Sequence, residues 1–341
     1  MRLMNWNIEH MNSWWEGGTQ EPPVMRSSFA GSSFSPAIAN VPELASRVAE
    51  VIKSVDPDIL TIQEGPGFPE IRHFLLDLVG GNWQVLRGEG GAQALLAVSR
   101  HGRGISDFTD GVSTVGDIVL DGPFTADTNA DLELEEVPFA RVPQVCTFKA
   151  HGETFTLINN HLKSKFVNDG RSLFEAGGQD RLEYFSKSLV ARRRISGEAY
   201  RLRAFMDRIL EENPAAKIIV CGDLNDGPGS DFFEENFLTH SVVDRVFGSI
   251  FHREKQLTHV LLNGTSTDFT AMFFDFISGV EKELVIDHIG LSRSVTETFN
   301  WVGRVAVEEF EAQVLEDDGT LKHRDLMPSD HRPVVVDLSL S

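Results

Sequence analysis

Side chains capable of metal binding or acid–base chemistry recur in this sequence where short apolar stretches end. They are four carboxylates, two amides and two imidazoles: Glu64, Asp223, Asp287, Asp330, Asn7, Asn225, His161 and His331. Hard oxygen ligands with imidazole, and without cysteine, suit Mg²⁺, Mn²⁺ or Ca²⁺ rather than structural zinc. One such residue alone is more typical of a turn or a helix cap. Their recurrence at six places along the chain predicts one cation-assisted site.

The segments that precede these residues have the composition of buried strands. The predicted strands cover residues 3–6, 59–62, 95–99, 142–148, 154–159, 217–221, 284–286 and 334–338. Apolar residues at helical spacing predict helices over 42–55 and 192–211, and residues 17–40, rich in Gly, Ser and Pro, predict a long surface loop. Strands and helices do not alternate strictly, which favours two packed sheets with outer helices over a doubly wound fold.

The chain has 341 residues, 41% of them hydrophobic, without repeats or a linker, so we expect one domain over residues 1–341. Its two cysteines, Cys146 and Cys221, lie in apolar runs and are typical of small core residues. The first residues lack the apolar core and cleavage site of a signal peptide, which favours a cytoplasmic location. A leader removed beforehand would leave no trace, so secretion stays open. We expect no membrane span and no obligate protein partner.

Six short motifs surround the polar residues. They are Trp6-Asn7, Ile62-Gln63-Glu64, Asn160-His161-Leu162-Lys163-Ser164, Gly222-Asp223-Leu224-Asn225, Ile286-Asp287-His288-Ile289 and Ser329-Asp330-His331-Arg332-Pro333. In content and in order they resemble the signature of the endonuclease/exonuclease/phosphatase superfamily, in particular its bacterial nuclease-type members. The resemblance implies a DNase I-like α/β fold. That fold is a four-layer sandwich of two mixed β-sheets packed face to face, with helices outside and an active site at one rim.

The same resemblance implies roles for the acidic and amide side chains. Glu64 resembles the principal metal ligand, with Asn7 beside it and Asp330 helping to hold that metal or a second one. Asp223 resembles the carboxylate that orients or deprotonates the attacking water, and Asn225 the amide that positions the water or the phosphate. The implied cofactor is a divalent metal, Mg²⁺ first, with Mn²⁺ or Ca²⁺ as alternatives.

The imidazoles and several basic residues are expected to contact the phosphate. His331 resembles the imidazole at the scissile phosphate, oriented by Asp287, and His161 resembles a second phosphate-binding histidine. Imidazolium donors and a cation suit this chemistry because phosphodiester hydrolysis builds negative charge on oxygen in the transition state. The expected substrate-binding residues are Arg141, Lys163 and Arg194. We interpret His288 as structural.

The distribution of charge bears on the substrate. The chain has 51 acidic and 31 basic residues, a net charge of −20, which is a poor field for a protein that coats nucleic acid. Residues 161–203, however, hold ten basic and five acidic residues, so this region can guide a polyanion. In that case Arg192, Arg193 and Arg194 contact phosphates. Otherwise residues 192–203 form a solvated helix face with ion pairs such as Glu198 with Arg194.

The preferred hypothesis is a nuclease, with DNA or RNA as the substrate of metal-dependent phosphodiester hydrolysis. The alternative is a phosphatase or phosphodiesterase for a small or lipid-derived phosphate ester, of the inositol phosphate or sphingomyelin type. No apolar hairpin that would dock on a bilayer is evident, which disfavours the sphingomyelin type and a membrane partner. A catalytically silent binding protein is disfavoured because all the expected site residues are present.

Overall fold

The structure is a computed structural model that describes residues 1–17, 21–32, 35–91, 93–129, 131–228, 231–238, 240–261, 268–316 and 324–340. Its strands are β1 (Arg2–Asn7), β2 (Ile59–Gly65), β3 (Trp83–Arg87), β4 (Ala94–Arg100), β5 (Ile105–Asp110), β6 (Thr114–Val115), β7 (Ile118–Val119), β8 (Phe124–Ala126), β9 (Glu135–Val137), β10 (Gln144–Ala150), β11 (Glu153–His161), β12 (Lys217–Asp223), β13 (Thr258–His259), β14 (Ala271–Asp275), β15 (Val280–Leu284), β16 (Asp287–Leu291), β17 (Phe299–Val305) and β18 (Val334–Leu340). Its helices are α1 (Val41–Val55), α2 (Phe68–Phe74), α3 (Gly170–Ala176), α4 (Gly178–Glu212), α5 (Phe232–Asn236), α6 (Val242–Phe247), α7 (Arg293–Thr298) and α8 (Val307–Glu311). Short 3-10 turns lie at Met11–Trp14 and Arg324–Leu326, and Leu75–Val79 forms a π-helical turn.

Two six-stranded sheets form the body of the molecule. Their strand orders are β17-β18-β1-β2-β4-β3 and β13-β16-β12-β11-β10-β5. Each sheet contains one parallel pair, β1 with β2 and β11 with β12, and its other pairs are antiparallel. Both sheets are therefore mixed, as the resemblance implied. The pairs β6–β7, β8–β9 and β14–β15 form separate two-stranded ribbons.

Alternation along the strands sorts side chains into layers, because successive residues point to opposite faces of a sheet. In β1, Leu3 joins the apolar cluster between the two sheets, whereas Met4 and Trp6 join the cluster that includes the apolar face of α1. In β12, Ile219 likewise faces the other sheet, and Ile218 packs with residues of α4. The four layers (α1, first sheet, second sheet and α4) confirm the predicted sandwich.

The ends of α1 follow from its local sequence. The side chain of Asn40 accepts the N–H of Glu43, and Pro42 lies in the first turn, where no intrahelical N–H is needed. The helix ends at Val55, and the capping residue Asp56 adopts φ +52 and is followed by Pro57. The helix predicted over 42–55 is therefore confirmed to within one residue.

Four amide side chains are buried among the apolar residues between the sheets. Gln63 Nε2 donates to Asn5 Oδ1 at 2.9 Å and to Asn159 Oδ1 at 2.6 Å, which links the first sheet to the second. Asn159 Nδ2 in turn donates to Gln144 Oε1 at 3.2 Å. A buried amide without a hydrogen bond is costly, so these bonds favour one register of the two sheets over a slid arrangement.

The prediction of a strand over residues 284–286 is wrong. Leu284 ends β15, and Asp287 begins β16 instead of following a strand. The reason lies in the intervening backbone, because the N–H groups of Ile286 and Asp287 both donate to Thr270 Oγ1, at 2.9 and 3.0 Å. A side-chain acceptor thus replaces the strand partner there.

Two further elements differ from the predictions. Helix α4 begins at Gly178 rather than at residue 192, because its first turns pack through aromatic contacts, such as Tyr184 with Phe233 and Phe276, rather than through an apolar stripe. The predicted loop over 17–40 is only partly exposed, since Ile38 is buried in the core. Residues 18–20 and 33–34 of that loop lie outside the described residues.

Both cysteines are buried and unpaired, as predicted. Within the described ranges, no helix has the length and apolar character needed to cross a membrane.

The close backbone packing at Gly222 predicts that a side chain at this position would destabilise the fold. It adopts φ +138, and a Cβ atom there would lie 2.0 Å from the carbonyl oxygen of Asn160 on the paired strand β11. Gly222→Ala should therefore lower the free energy of unfolding by about 3 kcal/mol or more in urea denaturation. Gly91→Ala, where a Cβ would meet nothing within 4 Å, is the control. Equal stabilities of the two variants would contradict the close approach.

Candidate active site

Four polar side chains lie at strand ends along one edge of the sandwich, here called the rim. They follow, in alternation, the residues that point to the space between the two sheets. In β11, β12 and β16, respectively, His161, Asp223 and Asp287 have the same parity as residues that pack between the sheets. The strand registers pair His161 with Asp223 and Asp223 with Asp287. Asn7 ends β1 of the opposite sheet, and its Nδ2 donates to Asp223 Oδ2 at 3.0 Å. The rim therefore combines side chains from both sheets.

Asp223 lies at the centre of this group. Its Oδ2 is 3.4 Å from His161 Nε2 and 4.0 Å from His331 Nε2, and its Oδ1 accepts the N–H of Asn225 at 2.8 Å. Burial raises the pKa of Asp223 to about 7, although the charge of His331 and the bond from Asn7 act in the opposite direction. A carboxylate with this pKa can take up a proton near neutral pH.

His331 and Asp287 form a buried pair. His331 Nδ1 donates to Asp287 Oδ2 at 2.7 Å, which leaves Nε2 facing Asp223 and Asp330 Oδ1, the latter at 3.7 Å. Burial alone would lower the pKa of His331, but the carboxylates of Asp287, Asp330 and Asp223 outweigh it and raise the pKa well above its usual value. His331 is therefore an imidazolium with one directed N–H.

His161 has the opposite character. Burial, reinforced by the charges of Arg141 and His331, holds the pKa of His161 well below its usual value. Its Nδ1 is buried and has no hydrogen-bond partner among the described residues. The pKa values of the two imidazoles at the rim thus shift in opposite directions; His331 Nδ1 makes a 2.7 Å hydrogen bond to Asp287, whereas the carboxylate nearest to His161 Nε2 is Asp223 at 3.4 Å.

Glu64 reaches the rim through a break in its strand. It adopts φ +59 at a register shift between β2 and β4, and such a bulge re-aims the side chain. Its Oε2 accepts the backbone N–H of His10 at 2.8 Å and Nε2 of Gln93 at 2.7 Å. Its Oε1 lies 3.9 Å from His161 Nε2.

Several buried oxygens at this rim are suited to a divalent cation. Asn7 Oδ1 and Asp330 Oδ1 have no hydrogen-bond partner among the described residues, and carboxylate and amide oxygens are the ligands that Mg²⁺ prefers. A second compact group consists of one ligand atom each from Asp223, Asp287 and His331, all within 4.8 Å of one another. There, however, His331 Nδ1 already donates to Asp287. The Oδ1 atoms of Asn7 and Asp330, by contrast, carry no such bond within the described residues and could accept a cation.

Glu9 was missed in the sequence although it belongs to this rim. Burial and the charge of Asp330 raise the pKa of Glu9 to about 7, and Arg324 Nε lies 2.6 Å from its Oε2. Its position just after the Trp6-Asn7 motif was the available signal. Gln93, which bonds to Glu64, had no comparable signal because it lies in a loop without a recognisable pattern.

Asn225 has a local structural role beside Asp223. It adopts φ +52, and its Nδ2 donates to the carbonyl oxygen of Leu162 at 3.0 Å. Asn225 therefore ties the loop after β12 to the loop after β11.

The three expected substrate-binding residues lie on one flank of the rim. Glu198 of α4 is buried, and it accepts the backbone N–H groups of Ala140 at 2.8 Å and Lys163 at 2.7 Å. Lys163 follows His161 by two residues, and Arg141 follows Ala140. Arg194 lies one turn before Glu198 on α4, and the charges of Arg194 and Arg141 both act on this carboxylate. The structure therefore brings these three cations together around Glu198.

The neighbouring arginines of α4 do not form the expected phosphate patch. Arg192 is only 4% exposed and pairs with Asp231, and Arg193 lies 3.6 Å from Asp127. The alternative of a solvated helix face is equally wrong, because Glu198 and Arg192 are buried. Composition alone could not show that loop carboxylates occupy these arginines.

A hairpin with two exposed aromatic side chains, which the sequence analysis did not find, lies beside His331. Strands β14 and β15 form this hairpin, and Ala271 of β14 makes an isolated β-bridge to His331. The side chains of Phe273 and Phe274 on β14 are 43% and 47% exposed. Glu281 and Glu283 on β15 make the hairpin acidic. The sequence analysis did not anticipate these exposed rings, and its expectation that no apolar hairpin docks on a bilayer stays a prediction.

His288 faces away from the rim, in agreement with a structural role. Its Nε2 donates to the carbonyl oxygen of Asp226 at 2.8 Å, so its Nδ1 accepts from His259 Nε2 at 2.6 Å. His259 Nδ1 accepts the N–H of Leu261 at 3.1 Å. Burial, with a smaller effect of His288, lowers the pKa of His259 to about 2.

Comparisons with known proteins agree with this architecture. The model of the Endonuclease/Exonuclease/phosphatase family matches residues 4–331. The human Nocturnin catalytic domain with bound sulfate anion is 18% identical, with 100% of this chain and 94% of that chain covered and a TM-score of 0.55. TDP2 of D. rerio, complexed with single-strand DNA product, is 13% identical, with 99% and 98% covered and a TM-score of 0.50. A mannosyl-6-phosphatase of Bacteroides thetaiotaomicron is 16% identical, with 100% of both chains covered and a TM-score of 0.50. None of the curated proteins matches the sequence.

The buried pair His259–His288 predicts a pH dependence of stability. Because the native pKa of His259 is lowered, only the unfolded state takes up this proton, and stability falls as pH drops below about 6.5. His259→Gln, which can still donate to His288, should reduce the slope of unfolding free energy against pH between pH 6 and 4 by up to about 1.4 kcal/mol per unit. Urea denaturation measures the slope, and the interval from pH 8 to 9 is the control. An unchanged slope would contradict the assignment.

Proposed function

The chain belongs to the Endonuclease/Exonuclease/phosphatase family of phosphoesterase hydrolases, and from this premise we propose that it is a metal-dependent nuclease. The observation that carries the proposal is the arrangement of Asp223 between two imidazoles of different charge, His161 and the His331–Asp287 pair. A carboxylate that accepts a proton from the attacking water and an imidazolium that donates to a phosphate oxygen are both groups that promote phosphodiester hydrolysis.

The proposed metal ligands are Glu64, Asn7 and Asp330. The partnerless oxygens of Asn7 and Asp330 support this assignment, and Glu9 adds a fourth carboxyl or amide group to the same rim. When bound, the cation polarises the phosphate and neutralises charge that develops on its oxygens. We favour Mg²⁺ among the candidate ions because all these donors are oxygens.

The chain's own groups divide the remaining tasks. Asp223 orients the attacking water and accepts its proton, for which a pKa of about 7 is suitable. His331 donates its Nε2–H to a non-bridging or leaving oxygen, and Asp287 holds the ring. His161 contributes a neutral imidazole to the phosphate, and Asn225 keeps the loop beside Asp223 in place.

A polynucleotide is the preferred substrate because of the cations beside His161. Arg141 and Arg194 both act on the Glu198 carboxylate, and Glu198 in turn acts on Lys163, so the three cations share this side chain. Phosphates on either side of a scissile bond are a natural counter-charge for such a flank. The TDP2 relative was solved with a single-strand DNA product, which supports this choice.

A second candidate is a phosphatase or phosphodiesterase for a small or lipid-derived phosphate ester. The observation in its favour is the exposed pair Phe273 and Phe274 on the hairpin beside His331, because exposed aromatic side chains can enter the interface of a lipid layer. The relative that is a mannosyl-6-phosphatase shows that the fold accommodates phosphomonoesters. The acidic residues of the hairpin disfavour an anionic surface.

The proposal predicts metal-dependent cleavage of nucleic acid. Plasmid DNA, single-stranded RNA, sphingomyelin and inositol phosphates should be screened with Mg²⁺ or Mn²⁺, and we expect turnover of DNA or RNA that EDTA abolishes and added metal restores. Glu64→Gln should weaken metal binding and activity together. Full activity in excess chelator would refute the metal site, and turnover of the lipid or inositol substrates alone would favour the second candidate.

The roles of Asp223 and His331 predict large effects on the chemical step. Asp223→Asn and His331→Ala should each lower kcat by at least about a hundredfold, as expected for loss of a proton acceptor or of a charge-stabilising donor. The matched control is His252→Ala, an exposed histidine outside the rim. Circular dichroism should show that all variants are folded. Near-normal turnover of either site variant would mean that the roles are misassigned.

A further inference from the structure

We propose that Arg141, Lys163 and Arg194 form a subsite for a second phosphate group, so that the enzyme selects substrates that carry a phosphate next to the scissile one. This inference rests on the proposed function, since it assumes that the scissile phosphate lies at Asp223, His161 and His331. The chemical class of the ligand is a bisphosphate, either two neighbouring phosphates of a polynucleotide or a small bisphosphorylated molecule.

The backbone geometry places the three side chains together. Glu198 accepts the N–H of Ala140 and the N–H of Lys163, and so holds the start of the Arg141 segment against the segment that follows His161. Arg194 is four residues before Glu198 on α4, which puts both on one face of the helix. A ligand held by these cations therefore lies directly beside the imidazole of His161.

The positive charge of this subsite is not balanced by the protein. Arg141 Nη2 donates to the amide oxygen of Gln93 at 2.6 Å, and Lys163 Nζ donates to the carbonyl oxygen of Ser164 at 2.8 Å, so both partners are neutral. Arg194 Nε is buried without a hydrogen-bond partner among the described residues. Among the described residues whose charges act on Lys163, Arg141 and Arg194 are positive and Glu198 is the one negative group, so the cations outnumber the carboxylate they share.

Adjacent residues of α4 provide an internal comparison. Arg192 pairs with Asp231 and lies 3.8 Å from Glu234, and Arg193 faces Asp127. The protein thus neutralises the arginines that serve its structure but leaves Arg194 without such a pair among the described residues. Burial and the charge of Arg141 also lower the pKa of Lys163, a sign that the cations are crowded without a ligand.

The subsite is coupled to the proposed metal ligand through one side chain. The amide oxygen of Gln93 accepts from Arg141, and its Nε2 donates to Glu64 Oε2 at 2.7 Å. Gln93 is therefore a positioning residue that fixes the distance between the second-phosphate subsite and the rim. A phosphate dianion suits this subsite because arginine and lysine donors form charge-assisted bonds to its oxygens.

The test is a comparison of ligand pairs on the same protein. Isothermal titration calorimetry in Mg²⁺ would compare thymidine 3′,5′-bisphosphate with thymidine 5′-monophosphate, and inositol 1,4-bisphosphate with inositol 1-phosphate. The wild type should bind the bisphosphate of at least one pair about tenfold more tightly or better. Preference within the thymidine pair alone identifies a polynucleotide, and preference within the inositol pair alone identifies a small bisphosphate.

Variants assign the preference to the subsite. Arg194→Gln and Lys163→Gln should each reduce the bisphosphate-to-monophosphate ratio to below about threefold, whereas Arg193→Gln, with the same loss of charge one residue away, should retain it. No preference in either pair, or a preference that survives in both subsite variants, would overturn the inference. Cleavage of DNA or RNA without any preference leaves the nuclease proposal standing, and a preference without any hydrolysis retains the subsite but rejects that proposal.

Discussion

The candidate active site at the rim depends on the register between the two sheets. Its side chains come from both sheets, and the bond from Asn7 to Asp223 crosses between them. Apolar packing is not directional, so an interface of apolar side chains alone would allow one sheet to slide over the other. The amides of Asn5, Gln63 and Asn159 lie just beneath the rim, and their hydrogen bonds are lost if either sheet shifts. This buried polar contact therefore positions the chemistry as well as the fold.

Burial at the rim produces opposite results for groups of the same type. The pKa of His331 is raised because Asp287 and neighbouring carboxylates outweigh its burial, whereas the pKa of His161 is lowered by burial, to which nearby cations such as Arg141 add. These effects are local, and exposed charges farther away than about 10 Å are largely screened by salt. The net charge of −20 consequently says little about whether a phosphate binds here. The few cations beside His161 bear on that question more directly.

Much of the fold and several site positions could be predicted because both follow from alternation of side chains along strands. His161 and Asp223 end inward-facing rows, and each ends a strand as expected. Alternation does not explain the position of Glu64, because a β-bulge directs its side chain and no periodic pattern in the sequence reveals a bulge. The segment before Asp287 was mispredicted because a single side chain, Thr270, replaces strand pairing there. Contacts between residues distant in sequence were not accessible from composition.

The difference between Arg192 and Arg194 makes the same point about function. Both belong to the basic run of residues 192–194. Asp231 pairs with Arg192, whereas Arg194 lies near Glu198, whose charge it shares with Arg141. Only tertiary structure distinguishes a structural cation from one that awaits a ligand. Since distant relatives share the sandwich but are named for different substrates, specificity must reside in what borders the rim. In this chain the borders are a cationic flank at His161 and an aromatic hairpin at His331, and they favour different substrates. The cationic flank lies beside His161, where we propose that the scissile phosphate binds, whereas the exposed rings lie on the hairpin, so we expect the flank to have the more direct influence on which phosphate is cleaved.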